Sequence, residues 1–190
     1  MRLPRITSNH HSLHPRQASP RLAESHVSVS RLDSFIRRLQ AQRACLNAAV
    51  TLLGDLPGPV LEFGLGNGRT FDHLREICGA RPIFVFDRQI AAHPDCVPSS
   101  DHMFLGDFSD TLPQAVAQLG ASAALAHLDC GSGDAAANRR LVDSLLPSLM
   151  RLTRSGCIIV SDQEIHHDSL TPLSLPAEVK PGRYHMSRRQ

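Results

Sequence analysis

The chain has 190 residues, 42% of them hydrophobic and 20% charged, with a formal net charge of +2. That length suits one domain with a sizeable core, and the near-balanced charge excludes a protein built as a general polyanion binder. With no Trp and one Tyr it also lacks an aromatic platform for single strands, so no nucleic-acid partner is expected. Cys45, Cys78, Cys96, Cys130 and Cys157 are scattered and form no C-x-x-C pair, which argues against a disulfide scaffold or a zinc ribbon. No signal-peptide core and no run of roughly 18 apolar residues is present. The expectation is a soluble, cytoplasmic protein with no membrane partner.

Residues 1–30 are rich in Arg, His, Ser and Pro and follow no period. They read as a flexible N-terminal arm, which leaves residues 31–190 as a single domain. The spacing of Leu32, Phe35, Ile36, Leu39, Leu46, Ala49, Val50 and Leu53 predicts a helix over 31–53, capped by Ser30 and stopped by Gly54. Strands and helices then alternate. Strands are expected at Val60–Phe63, Pro82–Phe86, Met103–Gly106, Ala123–Leu128 and Cys157–Ser161. Helices are expected at Thr70–Cys78, Leu112–Leu119 and Ala135–Arg151. Short, continuously apolar strands between helices predict an α/β fold: a doubly wound, mostly parallel, Rossmann-like sheet with helices on both faces. Ligands of such sheets bind beyond the strand C-termini. Beyond Ser161, Pro172, Pro176 and Pro181 leave room for one good strand, Gly182–Arg188, so the sheet is expected to be truncated at its C-terminal end. A homodimer would cover such an edge or complete the pocket.

The most informative stretch is V-L-E-F-G-L-G-N-G-R-T, residues 60–70. Glycines between a first strand and a helix let the backbone approach a ligand closely, and the helix N-terminus behind them favours an anion. A Walker loop would need G-x-x-x-x-G-K-[ST], and no lysine is here. A dinucleotide loop would need G-x-G-x-x-G; in this chain the third glycine comes one place early and Arg69 stands in its position.

The pattern E-x-G-x-G-x-G, Glu62 to Gly68, resembles the first motif of class I S-adenosylmethionine-dependent methyltransferases, in particular the short bacterial type made of little but the core domain. The resemblance covers about residues 55–165. It implies that Glu62, Gly64, Gly66, Asn67 and Gly68 form the cofactor loop for S-adenosyl-L-methionine. The second strand ends I-F-V-F-D, placing Asp87, with Arg88 beside it, roughly 20 residues beyond Gly66, the interval of an acidic residue that meets ribose hydroxyls. Nicotinamide enzymes share that feature. The G-D-F at 106–108 resembles the position where an acidic side chain meets the adenine amino group, with Asp107 in that role and Phe108 packing nearby. An Asp at a strand end also caps helices, so each of these residues keeps a structural reading. H-L-D-C-G-S-G-D at 127–134 matches the motif that faces the methyl group and the acceptor.

Methyl transfer from a sulfonium is an in-line displacement that requires alignment and sometimes removal of a proton. The motif D-C-G-S at 129–132 has neither the proline pair nor the aromatic of many base-amino methyltransferases, so the expected acceptor is a small molecule. Asp129 and, on the rim after the fifth strand, His166 are the candidate catalytic groups. Asp162-Gln163 departs from the Asp-Asn pair of metal-dependent catechol-type enzymes, and no metal is expected. The alternative is a non-catalytic protein that keeps the methyltransferase fold and binds the cofactor or its product. A nicotinamide oxidoreductase is disfavoured by the early third glycine and the lack of a Tyr-x-x-x-Lys pair.

Overall fold

The computed structural model describes residues 29–190, so the arm expected over residues 1–30 lies outside them except for its last two positions. Helix α1, Arg31–Leu53, starts where the Ser30 hydroxyl accepts the Asp33 N–H at 2.9 Å and stops at Gly54. The alternation follows as β1 Val60–Phe63, α2 Arg69–Ile77, β2 Ile83–Asp87, β3 Met103–Leu105, α3 Phe108–Leu119, β4 Ala123–Leu128, α4 Ala135–Leu152 and β5 Thr153–Ser161. Two short strands close the fold, β6 Leu170–Pro172 and β7 His185–Arg189.

These strands form one seven-stranded sheet in the order β3-β2-β1-β4-β5-β7-β6. The first five are parallel, and β7 runs antiparallel to both β5 and β6. Strand side chains alternate between two apolar layers, as a period of two requires. Val60, Leu125, Ile158 and Val160 pack under α1 and α2 with Tyr184 and Met186. Leu61, Phe63, Ala126, Cys157 and Ile159 pack under α3 and α4. The sheet is therefore covered on both faces, and the doubly wound α/β architecture is as expected.

On the α3/α4 face, register partners stack across three strands. Phe63 lies on Phe86 with ring centroids 4.7 Å apart, and Phe86 lies on Phe104 at 4.7 Å. Phe108, at the start of α3, leans on Phe63 at 6.0 Å. This ladder fixes β2 and β3 against β1 just beneath the strand C-termini.

One expectation needs correction. The sheet is not truncated: residues after β5 supply two strands. The prolines hid β6, because it is a three-residue edge strand ending at Pro172, where a missing N–H costs no interior ladder bond. It pairs Leu170 with Arg189 and Thr171 with Arg188. Boundaries also moved. Helix α3 starts at Phe108 and carries Pro113 inside it. Strand β5 begins at Thr153, before Gly156 (φ 84°), and its register with β4 shifts between Ala123 and Leu125. Both edge strands, β3 and β6, are three residues long, which limits strand addition from outside.

Phe86 is the middle rung of the ladder and is fully buried. Phe86→Ala is expected to lower stability by about 3–5 kcal/mol through lost contacts and the cavity left behind. Urea unfolding checks this, and a loss below about 1 kcal/mol would contradict the role given to the stack.

Candidate active site

Of the three glycines in the loop after β1, Gly68 (φ 83°) packs against Cys96 and Ala92, where a Cβ would stand 2.5 Å from the Cys96 Cβ, and the other two shape the side toward β4 and the cavity. At Gly64 (φ 97°) a Cβ would stand 2.8 Å from the backbone oxygen of Asp129, so the loop runs against the segment after β4 at a distance no side chain allows. At Gly66 (φ 52°) a Cβ would meet nothing within 4 Å, because this residue opens onto a cavity. Asp87 holds the loop in place. Its Oδ2 accepts the backbone N–H of Leu65 at 2.8 Å and of Gly66 at 3.0 Å, and its Oδ1 accepts that of Gln89 at 3.2 Å. A carboxylate has about four acceptor positions, so Asp87 keeps capacity toward the cavity it lines.

Two cavities meet over this loop, sharing Gly64, Gly66, Asp129, Gly131 and Ser132 as walls. The larger, about 790 Å³, is bounded by Phe86, Asp87, Arg88, Asp107, Phe108 and Cys130. Asp107 occupies the N-cap position of α3, yet its side chain makes no cap hydrogen bond. Its carboxylate stands 4.0 Å from Arg88, both groups being exposed. Burial pushes the Cys130 thiol up to about 12. The smaller cavity, about 350 Å³, lies between α1 and the ends of β4 and β5, with Phe35, Arg38, Leu39, Asn67 and Asp162 in its walls.

Asp129 is gripped from α1. Arg38 donates to both of its oxygens at 2.8 and 3.0 Å, and Gln42 Nε2 donates to Oδ2 at 2.6 Å. Burial works against the Arg38 charge, but Asp129 outweighs it and holds the guanidinium above its ordinary proton affinity. Asp162, at the end of β5, takes one hydrogen bond, from Gln163 at 3.2 Å. Burial and the nearby Asp129 charge raise its pKa above the usual carboxylate range.

Beneath this lies a buried polar group. Glu62 and His127 are register partners on β1 and β4 and are fully buried on the α1 side of the sheet. His127 Nδ1 donates to Glu62 Oε2 at 2.6 Å, and Nε2 lies 3.2 Å from the Tyr184 hydroxyl. The other oxygen, Oε1, finds no donor among the described residues. Burial disfavours charge on the imidazole, but Glu62, with Asp129 and Asp162 behind it, more than offsets this, and the His127 pKa is raised.

The structure thus brings Gly64, Gly66, Asn67, Asp87, Arg88, Asp107, Phe108 and Asp129 to the cavity walls. Glu62 sits below the loop against His127 and reaches neither cavity. His166 stands apart, in a shallow depression of about 60 Å³ with Arg139 and Glu164, whose carboxylate is 3.6 Å away. Among the described residues, no three His, Cys, Asp or Glu side chains gather as a metal site, and no helix is long and apolar enough to cross a membrane. Reading the sequence alone missed Arg38, Gln42 and Tyr184. Gln42 did carry a signal: it is a polar residue on the apolar face marked by Leu39 and Leu46.

An open α/β sheet with a glycine loop after β1, acidic residues after β2 and β3, and a cavity at the strand C-termini defines the class I methyltransferase architecture. The family model for S-adenosyl-L-methionine methyltransferases matches residues 29–189, and the chain belongs to that family. Its cofactor is S-adenosyl-L-methionine. Among solved structures, an S-adenosyl-L-methionine methyl transferase from Silicibacter pomeroyi DSS-3 superposes with a TM-score of 0.81 at 40% identity, covering 85% of this chain and 99% of its own. No curated protein matches the chain.

Replacing His127 by Leu strands the Glu62 carboxylate in the core and is expected to cost about 3–5 kcal/mol near neutral pH. The raised His127 pKa gives the sign of the pH effect. Its stabilisation is complete below the unfolded value of about 6.5 and is lost as pH rises through the folded value. Urea unfolding between pH 6 and 8, below the range of unfolded thiols, should show stability falling with pH in the wild type and a flatter profile in the double variant Glu62→Gln/His127→Leu, which leaves neither ionisable group of the pair.

Proposed function

We propose that the chain transfers a methyl group from S-adenosyl-L-methionine to a small-molecule acceptor, with adenosine in the larger cavity and the acceptor in the smaller one. The observation that carries this reading is the meeting of the two cavities at Gly64, Gly66 and Asp129. The residues present fit the cofactor: Gly66 leaves open space where a ligand must pass, and Asp107 keeps its carboxylate out of the helix cap.

When bound, the cofactor supplies a methyl group already activated by a sulfonium. Asp87 would hold the ribose hydroxyls, Asp107 the adenine amino group, and Phe108 the face of the base, with Arg88 at the rim. Gly64, Gly66 and Asn67 would pass along the chain that joins the two halves; Gly68 lies outside both cavities. Arg38 and Asp129 offer a cation and an anion to the amino-acid end. Glu62 acts only through His127.

Asp129 already accepts three hydrogen bonds, two of them from a guanidinium, which makes it an orienting group rather than a strong base. Asp162 faces the same cavity with one hydrogen bond and a raised proton affinity, and is better placed to receive the acceptor's proton. His166 lies outside both cavities, so this geometry favours the aspartates. A volume near the low end for small-molecule pockets, with Phe35 and Leu39 as apolar wall, suits a small acceptor with an apolar part.

Calorimetric titration with S-adenosylmethionine, S-adenosylhomocysteine and NADH tests the pocket. Saturable binding of the two sulfur nucleosides alone is expected. Gly66→Val should abolish it by filling the open space. Asp87→Ala should weaken it by about 1–3 kcal/mol. Binding of NADH alone, or unchanged affinity in both variants, would overturn the assignment.

A further inference from the structure

Methyl transfer makes no direct use of the buried Glu62–His127 pair, although keeping two ionisable groups under α1 is costly. The pair is nevertheless connected to the site. Gln42, buried on α1, donates one amide proton to Asp129 Oδ2 at 2.6 Å and the other to the Tyr184 hydroxyl oxygen at 2.8 Å. That hydroxyl lies 3.2 Å from His127 Nε2, and Nδ1 of the same ring binds Glu62 at 2.6 Å. The Tyr184 oxygen accepts from Gln42 whether His127 is charged or neutral: it accepts from a protonated Nε2 through its second lone pair and donates its own proton to a deprotonated one. An amide with both protons committed does not conduct protons. The chain fixes orientation and passes no proton between Asp129 and His127, whose coupling is electrostatic alone.

We propose that Gln42 and Tyr184 are positioning residues, through which the buried Glu62–His127 pair holds the Asp129 carboxylate in the orientation that grips the amino-acid end of the methyl donor. The inference rests on the methyl-donor reading above. Asp129 needs such support because the segment that follows it, Cys130-Gly131-Ser132-Gly133, leaves β4 with two glycines and no strand pairing. The groups that face His127 come from every neighbouring element: Glu62 from β1, Asp129 and Asp162 from the ends of β4 and β5, and Tyr184 from the segment before β7. Arg38 and Gln42 complete the cluster from α1, at Asp129 and Tyr184. Tyr184 is fully buried, and burial with the nearby carboxylates holds its phenol far above the ordinary value, so it acts as a neutral hydroxyl.

The test is calorimetric binding of S-adenosylhomocysteine and of 5′-methylthioadenosine, which lacks the amino-acid end, to the full chain. The wild type is compared with Tyr184→Phe, Gln42→Met and the double variant. Each single change should weaken S-adenosylhomocysteine about 3- to 10-fold. The double variant should be no weaker than the worse single one, because both changes cut the same chain. Affinity for 5′-methylthioadenosine should stay unchanged. Equal losses for both ligands would mean general loosening and overturn the inference, as would multiplying losses or a Tyr184→Phe variant that binds like wild type. If Gln42→Met does not fold, the two ligands compared on Tyr184→Phe alone decide it. A wild type that binds no S-adenosylhomocysteine would instead overturn the methyl-donor reading itself.

Discussion

The four residues of β1 are paired in parallel on both sides, and this decides where every polar group of the site stands. Val60 to Phe63 match Ile83 to Phe86 on one flank and Leu125 to Leu128 on the other. Parallel pairing brings three strand ends to one edge. Asp87 arrives beside the glycine loop, Asp129 arrives beneath it, and the loop cannot relax away because Asp87 takes its N–H groups. The same register sets Glu62 against His127. A one-residue slip of β1 would turn Glu62 into the opposite apolar layer and leave His127 without its partner.

The two faces of the sheet do different work. Under α3 and α4 the strand ends are apolar apart from the buried Ser161, and the phenylalanine ladder stiffens the floor of the larger cavity. Under α1 the layer is apolar deeper in and polar toward the strand C-termini, where Glu62, His127, Gln42 and Tyr184 are linked by hydrogen bonds. The larger cavity thus rests on packing, and the smaller one on hydrogen bonds with stricter geometry.

Much of this was legible in the sequence, for particular reasons. Apolar strands between periodic helices gave the layers, and Ser30 and Gly54 marked α1 because capping and left-handed geometry are local properties. The glycine loop and Asp87 stood out because close backbone approach leaves a residue-type trace. Strand β6 stayed hidden because an edge strand that ends at Pro172 has no strand-like composition. Arg38, Gln42 and Tyr184 were missed because their partners, Asp129 and His127, are distant in the chain. Glu62 was placed in the cofactor loop by its motif; only the pairing of β1 with β4 shows that it sits against His127, outside both cavity walls.

The state of Cys130 has a consequence for the chemistry beside it. A sulfonium methyl is an electrophile, and a thiolate is a stronger nucleophile than most acceptors a small molecule offers. Cys130 borders the larger cavity, but burial and the surrounding carboxylates keep its sulfur protonated up to about 12. A thiol in that state does not compete for the methyl group. Burial first, and the negative charge gathered at the strand ends second, thus favour the unreactive thiol over the thiolate at this wall.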